Sequence, residues 1–246
     1  MIAGHFALAA AVKSGKRDVP LWALMLACQW LDVLFVPLVL VGVESFGAAP
    51  GTGGGYGNVV ISADYTHSLV GSLALAALFG AIASRWWGSR AGVVLALVAW
   101  SHWLLDLIVH RADMPWLPGN LGGFPRLGLG LWERPALAAD IELAMVLVGA
   151  ALYWRAAVQV AARAPGSARL AHVSGAIVLA SGLLVLGLDV TGLSASDPLR
   201  RRACRGRSRR DLRPRAGGAS APVRGGPAHR ARSGSPARSP CRASDR

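Results

Sequence analysis

The chain has 246 residues, 53% of them hydrophobic and only 16% charged, which excludes an ordinary soluble globular domain and suits a membrane protein. The formal charge of +13 does not indicate a nucleic-acid binder. From Arg200 onward 15 arginines face two aspartates, whereas residues 1–199 carry 11 charges of each sign.

Ile2–Val12 reads as a half-length apolar helix, closed by "KSGKRDVP", where Gly15 and Pro20 signal a turn and a new helix start. Its basic residues follow the apolar run, the reverse of a secretory signal, so no cleaved leader is expected. Crossing a bilayer takes roughly 20 apolar residues. Leu21–Val43, Val59–Ser84, Ala91–His110 and Ala136–Ala157 meet that length or nearly so, and Leu170–Leu188 is shorter but uninterrupted. The expected fold is therefore an all-α membrane protein: a helical bundle of about five transmembrane helices plus a short N-terminal helix, over residues 1–197.

The glycine cluster "GTGGGYG" has no following Lys-Ser/Thr and reads as an external loop, not a phosphate loop. Residues 198–246 are rich in Arg, Gly, Pro, Ser and Ala, cannot bury enough apolar surface to fold, and are expected to be disordered. So abrupt a change of composition is also what out-of-frame reading of a GC-rich gene produces. Cys28 reads as a small packed hydrophobe, and three cysteines make no disulfide framework.

Lys13, Lys16, Arg17, Arg85, Arg90, Arg155, Arg163 and Arg169 fall on one side of the expected bundle, and Arg111, Arg126 and Arg134 on the other. The richer side is expected to be cytoplasmic, placing the protein in a bacterial inner membrane with the N-terminal turn inside. The expected partners are the lipid bilayer and an unidentified small-molecule or lipid substrate, with no nucleic acid bound by the membrane domain.

The apolar runs are interrupted by His5, Asp32, "YTHS" (Tyr65–Ser68), and the stripe His102, Asp106, His110. Steps of four advance about 40° on a helix, so that stripe lies on one face. Ionisable groups inside a membrane are costly and mark function by default. Rise per residue sets His5, Asp32 and His102 about 15–18 Å from the cytoplasmic turns and His67 and His110 further out, a spread of about 12 Å, enough for a cavity holding one or two ions. Imidazoles with carboxylates suit a divalent cation, zinc foremost, with manganese or iron as alternatives. The candidate ligands are His5, Asp32, His67, His102, Asp106 and His110, with Asp32 and Asp106 also the candidate catalytic acids. Of the other acids, Asp140 and Glu142 lie about 200° apart on a helix, so only one faces the bundle. Asp113 continues the stripe, but Met114-Pro115 is expected to end the helix.

Gly4-His5, Asp32, Thr66-His67-Ser68, and Ser101-His102 with Asp106 follow in the order of a bacterial family. Over residues 1–115 the chain resembles the inner-membrane-associated metal-dependent hydrolases of the LexA-binding family, whose substrate is unknown. The resemblance implies metal ligation by His5, Asp32, His67, His102 and Asp106. Where that family carries Pro-Asp-x-Asp-His, this chain has Gln29-Trp30-Leu31-Asp32, which leaves open one metal site instead of two, or a lost activity. Two readings stand beside the hydrolase. One is a transporter or permease using the His/Asp chain as a proton or ion path. The other is a metal-stabilised membrane protein without turnover.

Overall fold

The computed structural model describes residues 1–16, 18–50, 52, 55–163 and 167–191. The tail expected at 198–246, Arg17 and part of the glycine cluster lie outside them. The described chain is mostly helical: α1 (Ile2–Gly15), α2 (Leu21–Cys28), α3 (Trp30–Leu40), α4 (Leu69–Val109), α5 (Pro135–Ala161) and α6 (Ala168–Val190). Between α3 and α4 lie two short strands, β1 (Ser45–Ala48) and β2 (Val59–Ser62). They pair antiparallel, with Ser45 opposite Ser62 and Ala48 opposite Val59.

Among the described residues, three helices are long and apolar enough to cross a membrane: α4, α5 and α6, or four spans if the bent pair α2–α3 counts as one. The expected number of five is not reached on this measure, for two local reasons. Leu21–Val43 is not one straight span; it bends by 49° between α2 and α3, where Gln29 leaves helical geometry at φ −109°, ψ 7°. Val59–Ser84 is not one helix either. Its first residues, β-branched and bounded by "GYGN", form β2, and the helix begins only after Ser68, whose hydroxyl accepts the Gly71 N–H at 3.1 Å.

α4 also departs from a single rod. Gly88 breaks its helical dihedrals at φ 79°, ψ 165°, a conformation essentially confined to glycine. On a straight helix Gly80 and Ala96 would stand about 24 Å apart. Here a Cβ built on Gly80 would lie 2.6 Å from that of Ala96 and 2.6 Å from the Gly92 carbonyl oxygen. The element is thus folded back at Gly88, and small residues let its two limbs touch backbone to backbone. Trp22 at the start of α2 meets Trp87 beside that turn, ring centroids 5.4 Å apart. A cavity of about 440 Å³ lined by Lys13, Tyr153, Ala161 and Ser167 gathers the end of α1, the end of α5 and the start of α6.

The central helix is α1, short and alanine-rich, lying along α5. A Cβ at Gly149 would run into the Ala7 carbonyl, so the absence of a side chain sets that separation. Ala9, Leu24, Ala27, Leu95 and Ala99 form a buried core among α1, α2 and α4. That close packing holds the start of α1 against the second limb of α4.

Candidate metal centre

Four parts of the chain deliver polar side chains to one point. His5 comes from α1, Asp32 from α3, His67 from the turn before α4, His102 and Asp106 from the second limb of α4, and His110 from the residue closing it. The expected spread of about 12 Å is overturned, because the depth arithmetic treated every span as straight and parallel. His67 sits in a turn, His110 has left the helix, and α3 is bent, so all six side chains reach inward.

The ligand atoms approach one another closely. His102 Nε2 lies 3.1 Å and His67 Nε2 3.4 Å from Asp106 Oδ2. The two Nε2 atoms are 3.3 Å apart, and Asp32 Oδ1 lies 3.5 Å from His67 Nε2 and 3.6 Å from that of His102. Five edges of this four-atom figure therefore run from 3.1 to 3.6 Å. Three atoms of this figure, His67 Nε2, His102 Nε2 and Asp106 Oδ2, stand 3.1–3.4 Å apart, a spacing at which one ion could meet all three at about 2.1 Å, the bond length of zinc to imidazole and carboxylate.

What stands behind each ring fixes which nitrogen faces the centre. His102 Nδ1 is 2.7 Å from the Cys28 carbonyl oxygen, a main-chain acceptor made accessible by the bend at Gln29, so Nδ1 carries the proton. His67 Nδ1 is 2.9 Å from Thr66 Oγ1. That hydroxyl donates to Glu44 Oε2 at 2.9 Å, so it accepts from His67. His110 Nδ1 donates to Asp113 Oδ1 at 2.9 Å. In the neutral rings all three Nε2 atoms then hold lone pairs directed at carboxylate oxygens. Such an arrangement could hold a cation among these groups, or a proton shared between ring and carboxylate.

His5 and His110 sit at the margin. His5 stacks on His102, centroids 3.9 Å apart, and its Nε2 approaches Asp106 Oδ1 at 3.1 Å, the oxygen turned away from the other imidazoles. His110 Nε2 is 3.7 Å from Asp106 Oδ2. Two groupings have ligand atoms within 4.8 Å of one another: His5, His102 and Asp106, and Asp32, His67 and His102. His102 Nε2 belongs to both and has one lone pair, so the geometry fits one ion better than two.

Sequence reasoning passed over several residues. Glu44 is buried and accepts from the Tyr65 and Thr66 backbone N–H groups at 2.8 and 2.9 Å. The signal available was a lone acid at the boundary of an apolar run. Glu142, not Asp140, faces the bundle; it is fully buried, accepting the Gly4 N–H at 2.9 Å and the Tyr56 hydroxyl at 2.7 Å. Burial, and then that carboxylate, push the Tyr56 phenol's pKa upward, keeping it a donor. Glu142 thereby anchors the α1 turn that carries His5. Asp113, set aside as lying beyond the helix, orients His110 and takes the Ile61 N–H at 3.1 Å. The remaining histidine among the described residues, His172, accepts from Trp154 Nε1 at 3.0 Å, away from the cluster. No protein-family model, curated protein or solved structure matches this chain.

Proposed function

We propose that this chain is a multi-pass membrane protein with one divalent ion at His67, His102, Asp106 and Asp32, and that it acts as a metal-dependent hydrolase. The observation that carries the reading is the set of five separations of 3.1–3.6 Å among His67 Nε2, His102 Nε2, Asp106 Oδ2 and Asp32 Oδ1, the imidazoles held with Nε2 inward. Zinc suits the donor set, with manganese or iron the alternatives.

Once bound, such an ion would polarise an ester oxygen and make a coordinated water acidic near neutral pH. The chain's own groups divide the remaining tasks. His67 and His102 hold their corners through the Glu44–Thr66 pair and the Cys28 carbonyl. His5 donates to Asp106 Oδ1 and leaves Oδ2 to the ion. Asp32 is the exposed corner, with 36% of its side chain accessible against 6% or less for its partners. It is the corner an incoming ester or water can take, and its carboxylate is placed to hold the proton released.

For topology, we count the two limbs of α4 as separate crossings, since each is about 20 residues long and they fold back at Gly88. The ends carrying Lys13, Arg85, Arg90 and Arg163 then share one side, which the positive-inside rule makes cytoplasmic. A bacterial inner membrane and the resemblance to the LexA-binding hydrolases fit this arrangement.

The filling of all four corners also suits a second reading, a metal-stabilised scaffold without turnover. The deciding experiment is elemental mass spectrometry on the full chain purified without chelator, beside His102→Ala/Asp106→Ala. About one ion per chain, reduced at least tenfold in the variant, is expected. No metal in either protein sinks the metal-dependent reading. A loaded chain that cleaves neither phosphoesters nor lipid esters, yet loses stability on chelation, is the scaffold.

A further inference from the structure

The site opens sideways. His67 and His110, at the outer end of the bundle, are 3% and 2% exposed, roofed by β1–β2, by Glu44, and by the segment after α4 that bonds Pro115 O to Leu69 N–H at 3.0 Å. The outward aqueous route is therefore closed. The accessible member of the cluster is Asp32, and its surroundings are apolar. On α3 it lies about 60° from buried Phe35 and about 40° from exposed Val36. Val33 and Leu40 extend the exposed flank. α3 packs against α2, α4 and β1, and that flank is left uncovered among the described residues.

A carboxylate on the shoulder of a lipid-facing helix is costly unless something polar meets it there. Asp106, beside it, lies three residues, about 5 Å, from the outer end of α4. That is the depth at which lipid ester and headgroup oxygens sit, just inside one face of the bilayer. Resting on the metal-dependent reading above, we infer that the substrate is an acyl-chain amphiphile of the outer leaflet. It enters between Asp32 and the Val36 flank with its oxygen-bearing head at the Asp32 corner and its chain left in the bilayer.

The test uses the full chain loaded with cobalt(II), whose visible absorption bands report directly on its ligands. Acetohydroxamate and dodecanohydroxamate, which share a metal-binding head, are titrated into wild type, Val36→Trp and Val33→Trp in the same detergent. The long-chain probe should shift the bands at a concentration at least tenfold lower than the short one in wild type. Val36→Trp should abolish that advantage while leaving the cobalt spectrum and the acetohydroxamate response intact. Val33→Trp, bearing the same bulk about 60° further round the helix, should keep it. Equal potency of the two probes in wild type overturns the lateral route and leaves the metal centre standing. So does an equal loss of both probes in Val36→Trp with an unchanged cobalt spectrum. A chain that takes up no cobalt overturns the metal reading itself, and the amphiphile with it.

Discussion

His67 shows how a single side chain is held for a task. Its ring is fixed from behind by Thr66 Oγ1, which is fixed in turn by Glu44, and Glu44 also takes two main-chain N–H groups from the same turn. Removing the carboxylate strands two buried donors, the Thr66 N–H and hydroxyl, each costing about 1–3 kcal/mol, and the partly buried Tyr65 N–H, and frees the ring to rotate. Partners of this kind are worth about 10–100-fold in metal affinity. Glu44→Ala should weaken zinc binding by that factor in a competitive chelator titration. Glu44→Gln, which keeps one acceptor oxygen, should lose less. A Glu44→Ala protein with unchanged affinity would show that the turn holds His67 unaided. At this scale the sequence was informative about the inner groups: His5, Asp32, His67, His102 and Asp106 stand out because each interrupts an apolar run. For Glu44 it gave only a weak signal, a lone acid at the edge of an apolar run, because an acid next to a glycine-rich loop looks solvated until the strands that bury it are known.

Among the elements, the break in α4 makes the clearest energetic statement. Nothing lies within 4 Å of a Cβ at Gly88, so replacing this glycine with alanine tests the backbone alone. The conformation at φ 79°, ψ 165° should cost alanine about 1–3 kcal/mol. Reversible denaturant unfolding in mixed micelles should report that loss without altered metal stoichiometry. An unchanged midpoint would mean that the turn relaxes into ordinary helical geometry. The helical runs were legible from hydropathy: α5 and α6 fall where Ala136–Ala157 and Leu170–Leu188 predict them, and the gap between Ser84 and Ala91 straddles the Gly88 turn. The hairpin β1–β2 and the bend at Gln29 were not. Both arise where tertiary partners override a run of hydrophobic residues, and hydropathy sums are indifferent to direction.

In the whole molecule, the cluster joins parts that share little else. α1, α3, the second limb of α4 and the turn before α4 meet at one point, while α1, α5 and α6 pack together behind. An ion bound only by the folded arrangement stabilises it by RT ln(1 + [L]/Kd), about 2.7 kcal/mol at a hundredfold excess over Kd. Chelation should therefore lower the thermal midpoint of the wild-type chain and leave that of His102→Ala/Asp106→Ala unmoved. An equal response from both would place the stabilising ion elsewhere.

The acceptor behind His102 belongs to the polypeptide itself and to no side chain. Position 28 can exchange its thiol for another small group and still present the same oxygen, so an alanine scan would pass over one of the site's orienting contacts. Only altering the link between residues 28 and 29, by replacing the amide with an ester whose carbonyl accepts more weakly, would expose it. Part of this centre is thus inherited through the course of the main chain, out of reach of any codon change that leaves the bend intact.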